Sequence, residues 1–293
     1  MPHANHVTSQ PYGILLILIL TAGLYLRGWL RLRSFYQNRI PAWRAGSFLL
    51  GIFLIWVAVA SPIAGTAHEL LTGHMVQHLL LMTFAAPLIW VGEPMIAFVH
   101  GMPKRVRDAM APLLRWRPTQ VLGNAITHPA ACWLGAAGAL FGWHIPALFA
   151  LGMESPVWHA IMEMSFLVTG LLFWYPVFQP WPSLKKPGWL IVFYLFLATL
   201  PCDILSGFLV FCDRVVYPGH VDSLQPFGLS PLQDQQLAGA LMWTVVTVIY
   251  FIFGGVISAR LLSPNGLQQS WIRQQPAFDS AAPLAARQRI EVV

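Results

Sequence analysis

The chain has 293 residues, of which 57% are hydrophobic and only 10% charged, with a formal net charge of +6 and a mean hydropathy of +0.61. A soluble domain carries about a quarter charged residues, so most of this chain cannot face water and an ordinary soluble domain is excluded. The basic residues sit in short runs between apolar segments rather than on one face, which argues against nucleic acid as a partner and for the lipid bilayer.

In chain order, seven apolar segments are long enough to cross a bilayer at about 20 residues each. They are Tyr12 to Leu30, Ala45 to Ala60, Gly73 to Trp90, Pro129 to Phe149, Pro156 to Tyr175, Gly188 to Phe211 and Leu237 to Leu262. The expected fold is therefore an all-α polytopic membrane bundle. Residues 1–262 form one seven-helix membrane domain, and residues 263–293, rich in Gln, Ala and Pro, form a loosely ordered cytoplasmic tail. The first segment has no Lys or Arg before it and Arg27, Arg31 and Arg33 at its end, so it reads as a retained span rather than a cleaved signal. Between the third and fourth spans, Arg105 to Trp116 mixes basic and apolar residues and is expected to lie along the inner membrane surface. Cys132, Cys202 and Cys212 make no disulfide framework. Cys202 and Cys212 lie about 15 Å apart on one helix, too far to bridge.

Sixteen of the 17 Lys and Arg fall in alternate connections or after the last span, leaving Arg214 alone on the opposite side. The positive-inside rule then places the N-terminus outside and the C-terminus in the cytoplasm. On that map most of the ten histidines gather on the outer side: His68, His74, His78, His144, His159 and His220, with His3 and His6 in the outer tail and only His100 and His128 inside. His74, His78 and Met82 follow i, i+4, i+8 and fit within about 80° of arc, forming one stripe that descends into the membrane. On the fifth segment His159, Met162 and Glu163 share a face. Polar groups inside a bilayer usually face a bundle interior, and intramembrane carboxylates such as Glu163 and Asp203 are functional candidates by default. Imidazole and thioether together suit Cu(I), whereas zinc more often takes cysteines or several carboxylates. Met75, Met164 and Met242 lie near enough to be candidates as well.

Five blocks in order carry a resemblance: HMVQHLLLMTFAAPLIWVGEP, WHIPALF, ESPVWHAIMEMSFLVTGLLFWYPV, LPCDILSGFLVFCDRVVYP and LSPLQDQQLAGALMW. Taken together, from about Pro62 to Trp243, they resemble the CtaG family of cytochrome c oxidase (caa-type) assembly factors. The resemblance implies a non-enzymatic seven-helix protein of the bacterial inner membrane, needed to make active haem–copper oxidase and associated with supplying its copper. The family's histidine blocks fall on His74, His78, His144 and His159, and its acidic block on Glu163. Where the family pattern leads one to expect a histidine after that glutamate, this chain has Met164, a residue able to ligate Cu(I) but not Cu(II) comparably.

The leading expectation is an outer-leaflet copper site, with His74 and His78 as ligands and His159, His144, Met82, Met162 or Met164 completing it. Glu163 orients a ligand imidazole, and Asp203 and Asp234 serve as pocket or docking groups for an oxidase subunit. Two other readings stay open. One is a b-type haem held between facing histidines such as His78 and His159. The other is a metal or proton transporter using Glu163 and Asp203 as relay groups, although the inner halves of the spans are nearly free of polar residues.

Overall fold

Prolines punctuate the chain. Pro94, Pro129, Pro146, Pro156 and Pro231 each open a helix, where the missing N–H is one of the unpaired donors anyway and the fixed φ is already helical. The computed structural model describes residues 10–35, 41–65, 69–178, 189–217 and 228–263, and among these there is no strand. The long helices are α1 (Gln10–Phe35), α2 (Ala42–Ala60), α3 (Leu71–Val91), α9 (Pro156–Phe178), α10 (Trp189–Phe211) and α11 (Pro231–Leu262). Between α3 and α9 lie α4 (Pro94–Gly101), α5 (Lys104–Arg115), α6 (Arg117–Ile126), α7 (Pro129–Trp143) and α8 (Pro146–Glu154).

Among the described residues six helices are long and apolar enough to cross a membrane, and the bent pair α7–α8 makes a seventh if it counts as one span. That bend corrects the expected fourth span. Pro129 to Phe149 is not one straight helix: it stops at Trp143 and resumes at Pro146 with a change of direction of 77°. Pro146 cannot donate to the carbonyl four residues back and disfavours helix at the residue before it, so the last turn closes instead through His144 N–H to Phe141 O and Ile145 N–H to Gly142 O. The expected surface segment forms α5, a helix with no buried residue. The tail, His3, His6, His68 and His220 lie outside the described residues.

α3 is the hub. Some 61% of its most apolar window is buried, against 11–44% for the other long helices. α2, α9 and α11 pack around it, α7 and α10 pack on α9 and α11, and α1 lies outside against α2 and α4. At one end Tyr25 stacks on Phe48 at 3.8 Å and donates to Gly92 O at 2.8 Å. There α1 and α4 touch through backbone: a Cβ on Gly28 would fall 1.8 Å from Ala97 O, so only glycine permits the crossing. At the other end the packing is polar, and the candidate site lies there.

Candidate functional site

α3 begins without a side-chain cap of its own, because Leu70 precedes it. Its free N–H groups are met from another helix. The buried Asp234, in the first turn of α11, accepts from Leu71 N at 2.7 Å, Thr72 N at 3.1 Å and Thr72 Oγ1 at 2.6 Å. A carboxylate at a helix N-terminus is where the backbone dipole favours it. α11 itself starts with a capping box in which Ser230 and Gln233 satisfy each other's backbone N–H groups. The next residue, Gln235, accepts from Val216 N and donates to Arg214 O, pinning the segment after α10. Asp234 is thus seated as a positioning group for the histidine helix.

One turn below that cap, His74 and His78 are both buried, with their Nε2 atoms 2.6 Å apart. The ring of His159 on α9 comes within 5.7 Å of that of His74, centroid to centroid. Glu163 Oε1 lies 3.4 Å from His159 Nε2 and also accepts from Gln77 Nε2, which donates as well to Ala58 O at 2.8 Å. Gln77 therefore ties α2, α3 and α9 together at the level of the histidines. The two stripes expected from sequence do meet, and glutamine is the link between them.

His144 completes the group at the α7–α8 bend. Its Nδ1 lies 2.7 Å from Leu140 O. A carbonyl only accepts, so Nδ1 carries a proton, and in the neutral ring Nε2 is left as a bare lone pair. That Nε2 is buried with no hydrogen-bond partner among the described residues. Tyr217 holds the bend by donating to His144 O at 2.9 Å, and its ring packs on Phe149, which in turn meets His74.

Beneath the histidines is a cavity of about 60 Å³, lined among others by His78, His144, Met75, Met82, Cys202 and Met242. Met82 sits in a π-helical turn, Leu80–Ala85, that interrupts α3. Trp174 Nε1 donates to Met82 O at 2.9 Å, and Gly170 lets α9 approach so closely that a Cβ there would lie 2.9 Å from Met82 Cα. Such turns are uncommon and concentrate at functional sites.

The remaining candidates are not brought into this group. Met164 is 59% exposed on the outer face of α9, away from the histidines. Met162 is fully buried but packs toward Gly152 and Trp143. Asp203, next to Cys202, is half-buried, and its Oδ1 has no hydrogen-bond partner among the described residues. His, Cys, Asp and Glu give no group of three or more among the described residues that could hold a metal. Gln77 is the residue at this level that spacing alone did not single out.

The fold and this end of the bundle define a class: a multi-pass helical membrane protein with a buried imidazole cluster above a sulfur-lined cavity. The family model for the cytochrome c oxidase caa3 assembly factors (CtaG) matches residues 23–263, and the chain belongs to that family. An uncharacterised protein of Mycobacterium leprae is 22% identical over 256 residues, covering 85% of this chain and 37% of its own length. Uncharacterised proteins of Mycobacterium bovis and Mycobacterium tuberculosis are each 26% identical over 233 residues, covering 75% of this chain and 34% of their own. The chain thus spans about a third of the length of these relatives. No solved structure matches.

Proposed function

We propose that the chain receives copper at its histidine end, on the outer side of the bacterial inner membrane, and passes it to a haem–copper oxidase subunit during assembly. The observation that carries this reading is the pair of buried Nε2 atoms of His74 and His78, 2.6 Å apart, with His78 lining an apolar cavity that also includes Met75, Met82 and Met242. The two nitrogens share one hydrogen bond, a cation that replaces the shared proton would take both imidazoles as ligands once they part slightly, and the nearby thioethers favour Cu(I). Asp234 holds the helix that carries the pair, and Gln77 and Glu163 hold His159 beside it. The outer placement rests on the distribution of Lys and Arg, and the oxidase as recipient rests on the family.

Copper here is cargo, so hand-over is ligand exchange with the partner and requires no nucleophile. The cavity also favours an ion over a macrocycle, since about 60 Å³ is well below the roughly 300 Å³ at which pockets begin to hold larger ligands. The test is a His74→Ala, His78→Ala double variant in cells that depend on this chain for oxidase assembly. Oxidase protein is expected to remain detectable while its copper and activity are lost. Oxidase with normal copper content in that variant refutes the reading.

A further inference from the structure

We infer that α5 and α6 form a hairpin that lies flat in the headgroup layer of the membrane and binds anionic phospholipid there. The inference stands apart from the copper reading and uses no residue of the histidine end.

Residues 104–117 hold Lys104, Arg105, Arg107, Arg115 and Arg117 against the single carboxylate of Asp108, a net charge of +4 in a chain whose total is +6. A basic run beside a membrane span is by itself only a topology signal. Elsewhere in the chain such residues are engaged within the protein. Arg31 donates to His100 O at 3.0 Å, Arg33 lies over the Trp29 ring, and Arg44 pairs with Glu93. The five basic residues of α5 and α6 differ. All are exposed, and among the described residues none makes a side-chain hydrogen bond, ion pair or ring contact.

Helical geometry sorts these charges from an apolar face. At about 100° per residue, Val106, Met110, Leu113 and Leu114 of α5 fall within about 100° of arc, with Lys104, Asp108 and Arg115 opposite and Arg105 and Arg107 on the flanks. On α6, Val121, Leu122 and Ile126 fall within about 140°, opposite Gln120 and Asn124. Neither helix buries a single residue. α5 packs mainly on α6, and α6 reaches the bundle through α7. With 12 and 10 residues, the two are about 18 and 15 Å long, roughly half the thickness of a hydrocarbon core. The apolar faces are therefore neither covered by the protein nor able to cross the membrane.

The surroundings identify what covers them. The hairpin is tied by Met102–Pro103 to α4, which packs on the α1 span, and by Thr127–His128 to α7. Exposed Trp116, at the turn between the two helices, is the kind of amphipathic ring that membrane interfaces favour. Pro112 leaves Asp108 O without its helical donor, and both residues lie toward the charged face, where water can meet that carbonyl. Facing hydrocarbon, a bare carbonyl is not tolerated. An apolar face bordered by unpaired cations matches a bilayer surface that carries negative phosphodiesters, and each Lys or Arg held at such a surface favours binding roughly fivefold.

The test uses the full chain reconstituted in vesicles of equal parts phosphatidylcholine and phosphatidylglycerol. Spin labels are placed singly at Met110→Cys and Ala111→Cys, in a Cys212→Ser background because Cys212 is the native thiol that is not buried. Molecular oxygen is expected to reach the Met110 label, and an aqueous nickel chelate the Ala111 label on the charged face. Separately, the unaltered protein is expected to hold spin-labelled phosphatidylglycerol in preference to spin-labelled phosphatidylcholine. Replacing all five basic residues with Gln lowers that preference about fivefold or more, whereas replacing the four Arg with Lys keeps it. The labels leave the five charges in place, so that arm decides even if the Gln variant does not fold. Equal nickel access at both labels puts the apolar face in water or against a soluble partner and overturns the inference. A lipid preference that is absent, or that survives loss of the five charges, overturns it as well.

Discussion

Replacing Asp234 tests whether the histidine helix is held from across the bundle. Its carboxylate accepts three hydrogen bonds from the start of α3. It is 2% exposed, so solvent cannot substitute for it. Hydrogen bonds to a charged group contribute roughly 1.5–3 kcal/mol each when measured singly, and buried N–H groups left unmatched cost about 1–3 kcal/mol. These overlap rather than add, and some relaxation is certain. Asp234→Ala is therefore expected to destabilise the protein by about 3–5 kcal/mol, while Asp234→Asn, which keeps one acceptor oxygen but loses the charge at the helix end, costs about 1–2 kcal/mol. For a chain of this size about 3 kcal/mol corresponds to a fall in Tm of roughly 6–12 °C. The assay is thermal unfolding of the detergent-solubilised variants, followed by tryptophan fluorescence. Thr72→Val provides the internal comparison: it removes the 2.6 Å bond and leaves the two backbone bonds, so its loss should be the smaller one. Asp234→Ala melting within 2 °C of the unaltered protein refutes the capping role.

Other perturbations separate packing from the site. Gly170→Ala places a Cβ 2.9 Å from Met82 Cα, a backbone atom that cannot swing away. It should cost about 1–3 kcal/mol by forcing α9 off the π-helical turn, seen as a lowered Tm. Trp174→Phe removes the donor to Met82 O and should lower stability by about 1 kcal/mol beyond the loss of ring area. Met164→Leu, at a 59% exposed position outside the cluster, should leave both bound copper and Tm unchanged. Loss of copper in that variant places Met164 in the site and contradicts its position on α9.

The parts of the site that were legible in sequence are those confined to one helix. His74 and His78, and His159 and Glu163, are i, i+4 pairs, and helical geometry alone puts each pair on one face. Apolar run length likewise located the long helices to within a few residues. What sequence could not supply is contact between helices. Nothing in the spacing shows that Asp234 reaches Leu71 and Thr72, 162 or more residues earlier, or that Gln77 bridges Ala58 and Glu163. The α7–α8 bend was partly legible, because Pro146 two residues after His144 is a stop signal for any helix running through it. The straight reading followed from treating Pro129 to Phe149 as one apolar run. The π-helical turn Leu80–Ala85 contains neither Gly nor Pro, and its marker is Pro87 just beyond it, which has no N–H for the carbonyl of Thr83.

That turn bears on how histidines on three helices come to serve one space. A π-helical turn carries one more residue than an α-turn, so it rotates every side chain beyond it relative to those before it. His74 and His78 precede the turn and face α9; Met82 lies within it and lines the cavity alongside residues of α7 and α10. A regular helix keeps i, i+4 and i+8 on one stripe, and the sequence alone places all three residues there. His78 before the turn and Met82 within it line the same cavity, and Trp174 and Gly170 on α9 hold the turn in place.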